Sequence, residues 1–265
     1  DKKRANANIV MGRFLYALKQ DTDYEIISYE GGQKDNAITR EAVCEILVAR
    51  EDIEAVKACA AKAEKGIREE YAGTDSNITV QITEEGYAET DVLHPTSREK
   101  VLFYLVQIPF GIQKMSGNIE GLVETSTNIG IVKLSDDEFF ASSSVRSSVE
   151  AARDALSDKI QYLTEFLGGE FEIQGAYPAW EYRKDSPLRD KMVSVYEEMY
   201  GQKPEVVAIH AGLECGLFYK KIEGLDCVSL GPDMKDIHTS EEVLDIASTE
   251  RVWNYLVKVL EQLKD

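Results

Sequence analysis

Histidine is scarce in this sequence: only His94, His210 and His238 are present among 265 residues. A dinuclear metal site or a Ser-His-Asp triad has to be built from those three or not at all. Positive charge is also short, with 30 Lys and Arg against 48 Asp and Glu and a balance of −18. Nucleic acid and anionic membrane are gripped mainly through Lys and Arg, so this field argues against both as partners. The four cysteines, Cys44, Cys59, Cys215 and Cys227, form no CxxC pair. They are too few for a disulfide scaffold, which fits a reducing, cytoplasmic setting. No apolar run approaches the ~20 residues that a bilayer-spanning helix needs.

Apolar material is not lacking. The chain is 43% hydrophobic, enough for a real core and too much for wholesale disorder. Its length suits one large domain or two ordinary ones. It opens at Asp1 without Met, straight into Lys2-Lys3-Arg4 and a helical pattern, and is therefore expected to be an excised piece of a longer protein.

Periodicity gives the organisation. Ile9, Val10, Phe14, Leu15 and Leu18 share one face of a helix over 5–20. Strands are expected over Tyr24–Tyr29 and Ala37–Val48, a helix over Asp52–Glu70, and a strictly alternating strand over Asn77–Thr83. The same α-β-β-α-β order then returns. A helix enters at His94-Pro95-Thr96-Ser97, strands follow over Gly121–Lys133 and Glu138–Ser147, then a helix over 149–167 and a strand over Phe171–Ala176. Duplication explains the two passes, with coincidence as the alternative, and each pass would form an antiparallel sheet covered on one face by two helices. After the polar Arg183–Pro187 junction the texture becomes α/β. Ser186 and Pro187 start a helix running to Tyr200, buried strands are expected at Val206–Ile209 and Cys227–Leu230, and a helix over 248–264 ends the chain. Two strands cannot make a covered parallel sheet, so this part reads as the edge of a larger one. The expected class is thus α+β followed by an incomplete α/β portion.

Few residues could carry chemistry. His238 follows a buried strand, at the carboxyl-end position where α/β sheets place their sites, and imidazole is a common metal ligand. A surface His near a helix start is the competing reading. His210 opens a turn through Ala211-Gly212-Leu213-Glu214-Cys215-Gly216, whose glycines allow close backbone approach. Glu214 there could receive a substrate amine or simply cap the turn. Cys215 has no nearby basic residue in sequence and reads as a structural thiol. Arg146, at the end of a strand, has the planar fork that suits a carboxylate, or it faces solvent. Asn128 could donate to a carbonyl oxygen or merely decorate its strand. His94, before Pro95, reads as helix-entry chemistry. Gly31-Gly32 precedes a strand and lacks the strand-loop-helix context of a phosphate-binding loop.

Several segments together resemble the aminoacyl-histidine (Xaa-His) dipeptidases: Asn6-Ala7-Asn8 into Gly12-Arg13-Phe14-Leu15, Gly31-Gly32 through Asn36-Ala37-Ile38 to Arg40-Glu41, and Thr125-Ser126-Thr127-Asn128-Ile129-Gly130. Ile209–Phe218, Gly231-Pro232 through His238, and Asp245–Trp253 continue the likeness in order to the end of the chain. Thr39 departs from an expected proline. The resemblance implies a dinuclear zinc peptidase whose catalytic domain is interrupted by a lid. Residues 1–180 would be lid, in repeats of about 1–92 and 93–180, and 181–265 the C-terminal segment of the catalytic domain. In such enzymes a metal-bridged water, helped by a glutamate, attacks the peptide carbonyl, and a lid histidine stabilises the oxyanion.

By position, His238 resembles a metal ligand, and His210, Gly212 and Glu214 the substrate-binding loop. Arg146 resembles the residue that receives the substrate carboxylate, with Asn128 in the same pocket. The other ligands, the general base and the lid histidine would lie outside this chain. The parent is then expected to be a cytoplasmic dipeptidase using zinc or another divalent metal, acting on dipeptides, and capable of homodimerising. The chain alone is expected to be inactive. Two alternatives remain: a stand-alone binding or dimerisation module, and a related zinc aminoacylase or deacetylase.

Overall fold

The computed structural model describes residues 4–135, 138–207, 213–237 and 239–264. They fall into two compact units, one of residues 1–116, 123–147 and 151–174, the other of residues 117–122, 148–150 and 175–265.

The first unit is a single antiparallel sheet with helices on one face. Helix α1 (Ala7–Asp21) starts where the Asn6 side-chain oxygen accepts from the backbone of Asn8 and Ile9. Strands β1 (Tyr24–Gly31) and β2 (Ala42–Val48) pair antiparallel, and α2 (Ile53–Glu70) follows. Helix α3 (Pro95–Gln107), strands β3 (Gly111–Met115), β4 (Val123–Leu134) and β5 (Phe139–Ser147), and helix α4 (Glu150–Phe166) complete the unit. The sheet order is β2-β1-β4-β3, with β5 along the other side of β4. The two passes are therefore fused: Tyr29–Gly31 of β1 pairs with Val132–Leu134 of β4.

Phe14, Leu15 and Leu18 of α1, Val56 and Ala60 of α2, Leu102 and Leu105 of α3 and Ile160 of α4 bury against Ile26, Tyr29, Ile129 and Val132 of the sheet. Burying each Val, Leu, Ile or Phe side chain among these is worth about 1.5–3 kcal/mol. The opposite face stays open, leaving Val43 and Phe140 about half exposed. Arg98 of α3 pairs with Glu25 at 3.1 Å and lies over the Tyr24 ring, tying α3 to β1.

Four expected helices and three expected strands of this unit form close to their expected bounds, and the strand expected from Ala37 begins only at Ala42, but 77–83 and 171–176 carry no strand ladder, while the sequence shows no sign of β3. Alternation at Ile78, Val80 and Ile82 reports one buried edge, and packing on a helix satisfies it as well as a sheet does. Val80 and Ile82 pack against the core, the Val80 amide donates to the Glu64 carboxylate at 2.8 Å, and Arg68 donates to the Ile78 carbonyl. The side chains of α2 thus take the place of a neighbouring strand.

In the second unit, α5 (Pro187–Tyr200) starts at Ser186, as its Ser-Pro sequence requires, and ends at Gly201 in the left-handed region, φ 71°. It packs on α7 (Ile246–Gln262) through Met192, Val195, Tyr255 and Val259, and the Tyr255 hydroxyl donates to the Met192 carbonyl at 2.7 Å. Between them lie α6 (Glu214–Lys221) and a short hairpin of β6 (Met234–Lys235) with β7 (Val243–Leu244). Residues 227–230, expected as a strand, pair with no strand among the described residues, and the expected strand at 206–209 lies partly outside them. An apolar run becomes a strand only beside another strand that takes its hydrogen bonds.

Asp226 locks this unit from within. One carboxylate oxygen accepts from Ser186 Oγ at 2.7 Å and the other from the Leu188 amide at 2.9 Å. Burial pushes this carboxyl up, but those hydrogen bonds and the charges of Arg183 and Arg189 together hold it below its ordinary value. A carboxyl lowered by folding contributes stability that is full above its unfolded value of about 3.9 and is lost as pH falls through the folded value. Asp226→Asn is expected to lower the stability of the second unit at pH 7 and to flatten its loss in acid. Tryptophan fluorescence during urea unfolding reads this directly, since Trp180 and Trp253 both belong to this unit. Equal acid sensitivity in both proteins would rule the lock out.

Candidate functional site

In the first unit the candidate residues stand on adjacent strands. Arg146 of β5 faces Ser126 of β4, and Asn128 faces Ser144. Alternation places Ser126, Asn128, Ser144 and Arg146 on one sheet face, opposite to core-facing Ile129 and Val145. Ser142 continues the row. A half-buried guanidinium among hydroxyls can accommodate a carboxylate, because its parallel N–H groups match two oxygens.

The Asn128 amide is held by the protein itself. Its oxygen accepts from Asn6 Nδ2 at 3.0 Å, and its Nδ2 donates to the carbonyls of Ala37 at 2.8 Å and Asp35 at 3.4 Å. Asn128 thereby pins the turn after Gly31-Gly32 across β4, beside Arg146.

That pin belongs to a buried polar network that composition and periodicity did not disclose. Asn6 and Asn8 are wholly buried. Asn6 Nδ2 also donates to the Ile129 carbonyl at 2.8 Å. Asn8 Nδ2 donates to Thr39 Oγ1 at 3.1 Å, and its oxygen accepts from the Tyr29 hydroxyl at 3.1 Å. Burial pushes the Tyr29 phenol up. Thr39 Oγ1 donates to the Gly130 carbonyl at 2.9 Å. The departure from proline at this position thus adds a hydroxyl that proline cannot offer.

Backbone crosses backbone here. Gly32 has φ 80°, and a Cβ on it would sit 1.9 Å from the Gly130 carbonyl oxygen. One on Gly130 would sit 2.3 Å from that of Asp35. The sequence signals were Asn6-Ala7-Asn8 before a helix and the glycines at 31, 32 and 130. They were legible as a motif, while their contacts were not.

In the second unit, Glu214 is exposed at the start of α6. The helix docks through buried Gly216, where a Cβ would lie 2.7 Å from the Pro178 carbonyl oxygen. His210, Gly212 and His238 lie outside the described residues. Among the described residues no group of three His, Cys, Asp or Glu side chains could hold a metal ion, so by themselves they do not fit a metal centre. No helix among them is long and apolar enough to cross a membrane. His94 caps α3, its Nδ1 accepting from the Thr96 amide at 3.2 Å.

Residues 2–75, which carry α1, β1, β2 and α2, match the peptidase dimerisation domain. The similarity extends well beyond that segment. The chain is 30% identical, over 97% of its length, to the cytosol non-specific dipeptidase of Escherichia coli (strain K12), covering 53% of that protein. It matches the crystal structure of the aminoacylhistidine dipeptidase from Vibrio alginolyticus with a TM-score of 0.91 at 31% identity, over 98% of this chain and 53% of that one. The resemblance to the aminoacyl-histidine dipeptidases therefore holds from end to end, and the chain spans about half the length of these relatives.

Proposed function

We propose that this chain forms the lid and the C-terminal catalytic segment of a longer, metal-dependent dipeptidase acting on aminoacyl-histidine and related dipeptides. The observation that carries this reading is the end-to-end structural match, TM-score 0.91, to an aminoacylhistidine dipeptidase. Residues 1–180 are assigned to the lid, in repeats of about 1–92 and 93–180, and 181–265 to the catalytic domain. Arg146 receives the substrate carboxylate, with Asn128 at the same pocket and its amide holding the adjoining turn. Glu214 receives the substrate amine, and His210 and Gly212 belong to the same substrate-binding loop. His238 is a metal ligand, with zinc as the metal. The remaining ligands, the general base and an oxyanion-stabilising histidine come from residues outside these 265, so the chain alone is inactive. The protein works in the cytoplasm as a homodimer, a reading supported by the dimerisation-domain match over 2–75.

The test is expression of the reading frame extended upstream, assayed with zinc. Chelator-sensitive cleavage of aminoacyl-histidine dipeptides is expected from the longer protein and none from the 265-residue chain; cleavage by the chain alone refutes the assignment. An extension lacking His, Asp and Glu ligands would favour a stand-alone dimerisation module, and a preference for acyl-amino acids would favour an aminoacylase. Within the longer protein, Arg146→Ala is expected to lower kcat/KM about a hundredfold, the loss of a charge-assisted pair worth ~3 kcal/mol. C-terminally amidated dipeptides, which lack the carboxylate, should show little difference between the two proteins. An equal loss on both substrates would assign Arg146 to structure instead.

A further inference from the structure

We propose that Cys215 and Cys227 form a thiol modification site, a pair that a peroxide converts into a disulfide. Cys215 lies in the first turn of α6, and Cys227 in the extended segment leading to residue 230. The Cys227 thiol donates to the Cys215 carbonyl oxygen at 3.9 Å. It also meets the Cys215 thiol and the Trp180 indole; burial first, then the Cys215 sulfur, push it up to about 11. The other two cysteines, Cys44 and Cys59, pack with the core of the first unit.

Both thiols are half-buried, so a small oxidant can reach them. Closing them requires an S–S bond of ~2 Å with a dihedral near 90°. Asp226 anchors the residue before Cys227 to Ser186 and Leu188, and α6 is seated on the Pro178 carbonyl through Gly216, so both backbones are held and rotation of the two side chains has to bring the sulfurs together. A thiol held protonated is a slow nucleophile, so the pair answers sustained peroxide rather than traces.

The chemistry balances with hydrogen peroxide as the oxidant. One sulfur attacks a peroxide oxygen, the O–O bond breaks, and a sulfenic acid and one water result. The second sulfur then attacks the sulfenic sulfur, the S–S bond forms, the S–O bond breaks, and the leaving hydroxide takes up the thiol proton as a second water. Two thiols lose two electrons and two protons in all. A dithiol reductant reverses the change. This site stands independently of the peptidase reading.

The experiment uses the reduced 265-residue chain, hydrogen peroxide and mapping of the disulfide-linked peptides. Cys44–Cys59 and Cys215–Cys227 are separated by similar lengths of chain, so in urea both links should form in comparable yield. In the folded protein the Cys215–Cys227 link is expected to exceed the other by about tenfold, because folding raises the effective concentration of that pair alone. In a Trp253→Phe background, where Trp180 is the one remaining tryptophan, its fluorescence should change on oxidation and return with dithiothreitol. Cys227→Ser, with its fold checked by circular dichroism, should lose both signals. The same mixture of links in folded and unfolded protein, thiols that stay reduced, or sulfinic acid without a link would each overturn the proposal.

Discussion

Gly130→Ala is expected to destabilise the first unit by more than about 3 kcal/mol, the upper end of the usual cost of overpacking. The new methyl carbon would stand 2.3 Å from the Asp35 carbonyl oxygen and 2.5 Å from that of Lys34. Those atoms are backbone, so no side chain can rotate aside. They belong to the turn that Asn128 grips, and moving them breaks the bonds to Asp35 and Ala37 as well. Hydrogen exchange of the β4 amides measures this unit directly, as both tryptophans are elsewhere. Gly66→Ala on α2 is the control. Its Cβ meets nothing within 4 Å, and the change should stabilise by about 0.5–1 kcal/mol through helix propensity. A Gly130→Ala protein within 1 kcal/mol of the parent, on the order of a tenth of typical stability, would show that the turn yields and that the close crossing is not needed.

Asn6→Ala should cost a similar amount, about 3 kcal/mol, for a different reason. One side chain caps α1 through its oxygen and ties that helix start to β4 through its nitrogen, with donations to Asn128 and Ile129. Losing a cap costs ~1 kcal/mol and each orphaned buried acceptor ~1–3 kcal/mol. Asn6→Asp separates the two duties. Aspartate caps a helix as well as asparagine does, but here its second oxygen would face two acceptors, the Asn128 oxygen and the Ile129 carbonyl. The Asp protein is therefore expected to lose at least as much as the Ala protein. Thermal unfolding compares them, and a neutral Asn6→Asp would mean that capping alone explains the residue.

Both positions are visible in the sequence as motif residues, which is different from knowing what they do. Asn6 and Asn8 at the start of α1 and the glycines at 31 and 32 come together with Gly130, which lies more than 90 residues further along the chain, through Thr39 and Asn128. A polar network of this span has no periodicity to betray it. Residue type alone offered Asn128 as a carbonyl donor or as strand decoration; its amide nitrogen donates to the carbonyls of the Asp35–Ala37 turn of the protein itself, a partner that only the tertiary structure names. The same limit explains the strand expected over 77–83. Alternation at Ile78, Val80 and Ile82 marks a half-buried edge, but it carries no information on whether a strand or a helix covers it.

Local physics fixed a good deal. Helical spacing in α1, α2 and α4, the Ser-Pro start of α5 and His94 at the start of α3 all follow from neighbouring residues, because caps and amphipathic faces are set within one or two turns. Tertiary structure alone decided that the two passes share one sheet through β1 and β4, that Gly130 must lack a side chain, and that the thiols of Cys215 and Cys227 meet. Those outcomes depend on which distant backbones approach within a few ångströms, and close packing settles that only when the whole chain is in place.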